Sequence, residues 1–380
     1  CTWRFSMSKA AELAALIGGQ SSLAMPNMII NGDCRVAQRG TSTASITGNT
    51  NFVVDRWGFN PSSHGTWTLS QNSSTGLSEF ETSVKALCTT GGGSPAASDY
   101  ALFSYHIEGH DTQILKMGTS DAERFTISFY VKSNKTGTGI VEAQTTSGGA
   151  SVEYSRSFTI SQANTWEKKS VTIIANTSLA QDSANKTTST GLSLYFILDS
   201  GTNQTTGTLP TTWADQTFVN RWAGHDLGIG RNDDDYMELT GLQIDVGDVA
   251  QPFKYESFEQ NLARCQRYYF KCGLAANTFM GGAGWARDNN SIHVSCPYPV
   301  TMRVAPTALE TSGTSSDYEV NYRALSATVS SGPSFDTANR FGAFISADVS
   351  GTPLTAGDSL RLVGSSGGGT DSFLAWSAEL

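Results

Sequence analysis

The sequence predicts a mainly β protein: a short N-terminal helix, a large β-sandwich of two-sheet or jelly-roll type, a linking helix and a smaller C-terminal β domain. Three observations carry this. Charged residues are 16% of the chain while glycine alone supplies 38 residues, a composition that favours short strands joined by many turns. Stretches that alternate apolar and polar side chains recur along most of the chain, as strands buried on one face do. Between 239 and 271 the period changes: Leu239-Thr-Gly-Leu-Gln-Ile-Asp-Val-Gly247 alternates like a strand, Pro252 stops it, and 257–271 takes helical spacing. One domain closes there and another opens. The 380 residues divide into 1–26, 27–255, 256–272 and 273–380, the two β domains being large enough to bury their own cores.

Taken in order, residues 7–17 (MSKAAELAALI) combine Ala11, Leu13, Ala14, Leu16 and Ile17 with Ser8 and Glu12 near the start and Gly18-Gly19 at the end, which reads as one short helix. Alone it is marginal, so it is either a frayed tail or a helix that needs another copy of itself or a socket on a larger assembly. Cys1 to Ser6 precede Met7, which reads as a natural start. From Asn27 the pattern turns to strands. Met28-Ile-Ile30 is closed by Asn31-Gly32-Asp33, and Asp55-Arg-Trp-Gly-Phe59 sets Trp57 and Phe59 on one face. Further strands are expected at 66–71, 84–88, 101–107, 125–133, 140–144, 154–160, 167–175, 192–198 and 236–246, enough for two sheets packed face to face. The stretches 125–131 and 192–198 carry apolar residues on both faces and read as central strands. Residues 199–235, rich in Thr, Gly, Asn and Asp without a period, form a long surface excursion. After the helix, strands at 291–295, 307–310, 318–322, 324–329, 340–346, 359–362 and 373–378 make the second domain, with 298–306 a Pro-bounded connector.

A net charge of −9 lacks the electrostatic footprint of a nucleic-acid partner or an anionic membrane. No apolar run of 18 residues is present, so no membrane-inserting helix is expected. The six cysteines (Cys1, Cys34, Cys88, Cys265, Cys272, Cys296) have no paired CxxC spacing and fit free thiols made in a reducing cytoplasm. There is no nucleophile elbow, HExxH, P-loop or strand-linked GxGxxG. No catalytic residue is assigned, and the chain reads as a non-enzyme.

Asp233-Asp234-Asp235 after Asn232 is either a solvated turn or a site for a hard cation such as Ca²⁺, which takes six to eight oxygens; Asp33, Asp245 and Asp248 are a second such set. His106, His110 and Asp111 would converge only on a helix, whereas 100–107 reads as strand. Glu79, Glu81, Glu108 and Glu142 contain any glycosidase carboxylate pair, whose separation a sequence does not state. Trp67, Trp213, Trp222 and Trp285 suit flat stacking on sugar rings or on a partner protein, against a core role for most large aromatics. At the linking helix, Leu262, Tyr268 and Tyr269 are expected to be buried between domains or subunits, with Arg264 and Arg267 facing partners or solvent.

Asn27-Met-Ile-Ile-Asn-Gly-Asp-Cys-Arg-Val-Ala-Gln-Arg-Gly-Thr-Ser42 with Asp55-Arg-Trp57, then Leu242-Gln-Ile-Asp-Val-Gly247 with Pro252-Phe253, Leu262-Ala-Arg-Cys-Gln-Arg-Tyr-Tyr269 and Pro299-Val-Thr-Met-Arg303 with Ala305-Pro306 resemble, in order, tail-fibre and virion fibre proteins of tailed bacteriophages. The Cys-Gln-Arg-Tyr-Tyr motif is the most specific part. The resemblance implies a non-enzymatic virion component, assembled in the host cytoplasm as a homotrimer and joined to other virion proteins through the N-terminal helix. It implies a sandwich similar to carbohydrate-binding modules and contact with a host-surface glycan or protein. Related modules hold a structural Ca²⁺ through an acidic residue just after Asn-Gly-x-Phe; here Asn31-Gly32-Asp33-Cys34-Arg35 has Cys34 for the Phe and Arg35 where the acid would stand. A tail fibre that binds the host surface is the leading expectation. A head-decoration or capsid-attached fibre and a host-polysaccharide depolymerase are the alternatives.

Overall fold

The computed structural model describes residues 27–180, 186–273, 282–350, 354–365 and 372–380. The helix expected at 7–17 lies outside the described residues, as do Cys1 to Ser6. The chain divides into two compact units, Cys1–Ser257 and Phe258–Leu380.

Among its described residues the first unit has thirteen strands: β1 (Ser42–Ile46), β2 (Asn51–Phe52), β3 (Trp57–Asn60), β4 (Thr66–Asn72), β5 (Ser83–Thr90), β6 (Tyr100–Glu108) and β7 (Phe125–Ser133), followed by β8 (Gly137–Ser147), β9 (Ala150–Ile160), β10 (Glu167–Ile173), β11 (Thr190–Ser200), β12 (Ala214–Asp215) and β13 (Tyr236–Val246). They pair into two sheets, ordered β1-β4-β5-β13-β7-β10 and β12-β9-β8-β11-β6-β3-β2, and every pairing is antiparallel. The mainly β sandwich expected from the alternation is what forms. Its core is aromatic: Trp57, Phe59, Phe103, Phe129 and Phe196 are fully buried, and Trp57 meets Phe103 edge-on with ring centroids 6.4 Å apart.

The opening and closing segments of this unit are tied together. The Asn27 side-chain amide donates to the Leu242 carbonyl at 3.1 Å, and the Leu242 amide donates to the Gly32 carbonyl at 3.0 Å. A bulge in β13 makes this possible, since the register with β7 shifts between Thr240 and Gln243. Gly241 sits in the bulge at φ +62°, where a Cβ would come within 2.7 Å of the Phe80 ring. The space so kept lets Phe80 meet Phe253 and Tyr255 at 4.9 and 5.9 Å, which staples the stretch after Pro252 to the sandwich.

In the second unit, the helix that follows this stretch is shorter than its spacing predicts. It spans Phe258–Gln266, and the Tyr268 amide closes a turn on the Cys265 carbonyl at 2.9 Å. Residues Tyr269–Cys272, expected to continue the helix, instead form strand β14, paired antiparallel with residues Leu374–Ser377. A partner strand a hundred residues away outweighs the local helical spacing, helped by the β-preference of Tyr and Phe. The remaining strands are β15 (Gly284–Ala286), β16 (Ser291–Pro297), β17 (Glu310–Thr311), β18 (Tyr318–Tyr322), β19 (Leu325–Ala338), β20 (Gly342–Val349), β21 (Ser359–Gly364) and β22 (Leu374–Ser377). Strands β15-β16-β20-β19-β18-β21 close into a barrel, and β14-β22-β17 form a small sheet. Alternation is clean on the barrel: Ile292, Val294 and Cys296 point inward from β16 and Ala343, Ile345 and Ala347 from β20, while the residues between them face out. Phe270 stacks on Trp376 with centroids 6.0 Å apart and planes 11° apart.

Candidate functional site

The unpatterned excursion after β11 is held on the outer face of the seven-stranded sheet, and what holds it determines where its tryptophans lie. At its far end Arg231 forks onto Asp199, at 2.7 and 2.9 Å. Burial alone would raise the Asp199 carboxyl, but hydrogen bonds from His64 and Arg231 outweigh it and hold the group down at about 2. In its middle, Trp222 is fully buried against Leu102, Ile140 and Ile197 and donates its indole N–H to Glu142. Beside it, Arg221 makes a two-pronged contact with Glu142 at 3.0 to 3.2 Å and lies 3.7 Å from Glu153. Burial pushes the Glu142 carboxyl up, with the Arg221 charge and hydrogen bonds acting against it. Burial, then the Glu142 charge, pushes Glu153 up to about 7. Both carboxylates are covered by the excursion, so this pair presents no open face to a substrate.

The excursion also runs along an edge of the sheet. The Ser155 amide donates to the Pro210 carbonyl at 2.7 Å, and Ala214–Asp215 pairs with Glu153 and Val152 of β9. Trp213 is thereby set at the rim: its indole N–H donates to the Ile174 carbonyl at 2.9 Å, and its ring meets Tyr154 edge-on at 5.6 Å. There Trp213, Val152, Ile174, Thr177, Thr212 and Asp215 line a hollow of about 320 Å³. A second hollow of about 370 Å³, walled by Gln113, Lys116, Met117, Asp121 and Lys186 among others, shares Leu179 with the first. Each lies at the small end of the range for ligand pockets, with one aromatic wall and a few polar groups at the first. Such a wall can cover the C–H face of a sugar while hydroxyls and a carboxylate take its hydroxyl groups.

The four sequence-singled tryptophans therefore part company. Trp67 and Trp222 are wholly buried and offer no ring face to a ligand; Trp67 lies on β4 between the sheets, its N–H donating to the His64 carbonyl at 2.6 Å. Trp213 lines the rim hollow. Trp285 stands 43% exposed on the barrel of the second unit. Glu153, Arg221 and Tyr154 were not singled out in the sequence; no local signal links Arg221 to carboxylates on two strands many residues away.

The acidic candidates do not assemble. Asp233 accepts from the Gly91 amide at 2.7 Å, Asp234 is exposed with φ +65°, and Asp235 is buried against Lys135 at 2.9 Å. Among the described residues no group of three His, Cys, Asp or Glu side chains could hold a metal ion. Asp33, Asp245 and Asp248 each have a separate cation: Arg35, Lys254 and Arg124. Arg35 thus places a guanidinium against Asp33 and a hydrogen bond on the Glu256 carbonyl at 2.8 Å.

The linking-segment residues serve the second unit. Tyr268 and Tyr269 are buried, Tyr269 in register with Ser377 and its hydroxyl donating to Glu310 at 3.1 Å. Leu262, Arg264 and Arg267 are half-buried, and the Arg267 carbonyl accepts from the Arg303 amide at 2.8 Å.

No family model matches the chain, and no curated protein matches its sequence. Among solved structures it is similar to the enzymatically active domain of tailspike protein 4 from bacteriophage CBA120, at 12% identity over 58% of this chain and 21% of that one, with a TM-score of 0.30; the match thus spans about a fifth of that domain. It is similar to the CBM22-1 xylan-binding domain of Paenibacillus barcinonensis Xyn10C, at 13% identity over 59% of this chain and 97% of that one, with a TM-score of 0.27. It is also similar to the family 11 carbohydrate-binding module of Clostridium thermocellum Lic26A-Cel5E, at 11% identity over 54% of this chain and 99% of that one, with a TM-score of 0.28.

Proposed function

We propose that this chain is an adhesion component of a bacteriophage virion, a trimeric fibre whose sandwich binds a cell-surface glycan at the rim hollow. The observation that carries the binding part is Trp213, an aromatic wall with hydroxyls and a carboxylate around a hollow of sugar-sized dimensions. The virion part is supported by the fibre-like motifs running from Asn27 to Pro306. Attachment to the particle falls to the stretch before Asn27.

The test is binding of the purified chain to host lipopolysaccharide and capsule, by calorimetry, with Trp213→Ala beside the wild type. Loss of one aromatic stacking contact should weaken binding about tenfold. Unchanged affinity in the variant would remove the hollow from the reading. Released oligosaccharide would replace adhesion by depolymerase activity. Labelling the chain on intact particles separates the locations: tail label supports a tail fibre, head label a capsid-attached one.

A further inference from the structure

The barrel carries an aromatic surface of its own. Trp285 on β15 stands directly opposite His293 on β16, with ring centroids 5.6 Å apart and planes 33° apart. Phe344 on β20 meets Trp285 edge-on at 5.9 Å. Trp285 and Phe344 are 43% and 39% exposed, on the outward side of strands whose alternate residues fill the barrel. Asp336 of β19 closes the patch, its carboxylate 3.7 Å from the His293 Nδ1, and register puts Ser295 opposite Phe344 and Ser346 opposite His293. Four adjacent strands therefore present touching rings bordered by an imidazole, a carboxylate and hydroxyls. Single exposed apolar residues are ordinary; here two large exposed rings touch each other and an imidazole on neighbouring strands.

The size of the patch decides what covers it. The surface left open on rings exposed to this degree is roughly 200 Å², whereas a stable chain–chain interface needs about 800 Å² per partner. A ligand no larger than one or two sugar rings fits that area. A pyranose has an apolar C–H face for the indole and equatorial hydroxyls for the polar border, and the Asp336 carboxylate favours an uncharged sugar over a uronic acid.

We infer that the outer wall of the C-terminal barrel, at Trp285, His293, Phe344 and Asp336, is a second glycan site, for neutral hexopyranosides, separate from the rim hollow of the sandwich. The full-length chain is titrated with maltotriose, cellotriose, mannotriose and β-1,4-galactotriose, observed by saturation-transfer difference NMR and calorimetry. At least one trisaccharide is expected to bind the wild type. Trp285→Ala should weaken it about tenfold or more whether or not Trp213 is also replaced by Ala, and Trp285→Phe should keep it within a few fold. No binding by the wild type, or binding lost in Trp213→Ala and kept in Trp285→Ala, overturns the second site; the latter result leaves the rim hollow standing alone. A change of oligomeric state in Trp285→Ala with unchanged trisaccharide affinity would make the wall a contact between copies instead.

Discussion

Arg221 lies between two buried carboxylates, so the cluster with Glu142 and Glu153 holds one negative charge more than it neutralises. Burial first, and then the neighbouring Glu142 charge, push Glu153 up to about 7 from an ordinary 4.5, and protonating one carboxyl removes the excess. A folded-state value above the unfolded one means the folded chain binds the proton more tightly. The associated stability is complete below the unfolded value and is lost as pH rises through about 7. Glu153→Gln, which mimics the protonated form, should stabilise the sandwich at pH 8 by roughly 1 to 3 kcal/mol and do little at pH 4. Urea unfolding at both pH values checks this, and an equal effect at the two would sink it. Tyr269 makes a second prediction. Its ring is buried in the small sheet of the second unit, so Tyr269→Ala should cost on the order of 3 kcal/mol in chemical denaturation. A loss below about 0.5 kcal/mol is what a surface position would show.

At the scale of elements, the excursion over the seven-stranded sheet is positioned by a few side chains. It contributes one two-residue strand to the sheet and is tied down further by backbone hydrogen bonds, such as Asp226 amide to Thr138 carbonyl and Ile229 amide to Leu198 carbonyl at 3.0 Å each, and by Trp222, Arg221 and Arg231. Trp222 supplies the apolar part, filling the space over Leu102, Ile140 and Ile197. Trp222→Ala should leave the two sheets intact, with far-UV circular dichroism unchanged, and open the excursion to limited proteolysis within 201–231. Glycan affinity at the rim should fall with it, because Trp213 is carried by the same segment. Cleavage no faster than in the wild type would mean that the remaining hydrogen bonds and ion pairs of the excursion suffice without Trp222.

Over the whole molecule, the fibre proposal requires that three copies assemble. Sedimentation equilibrium should give about three times the 40.5 kDa chain mass, symmetric closure being the rule for assemblies of one chain. A monomer at micromolar concentration would overturn that part. What the amino-acid sequence determined by itself is the class of structure and the placement of most strands: β13 begins and ends where the alternation at 236–246 does, and Trp57 and Phe59 enter the core from one face as their spacing required. These are local properties, since a period of two and the breaks at Gly and Pro are set by neighbouring residues. The tertiary structure decided the rest. It turned Tyr269–Cys272 from helix to strand by supplying Leu374–Ser377 as a partner, buried Trp67 and Trp222 while leaving Trp213 at a rim and Trp285 on a wall, and gave Asp233, Asp234 and Asp235 different surroundings. Each of these depends on contacts between residues far apart in the chain, whose energies outweigh local preference and leave no trace in the spacing of the residues themselves.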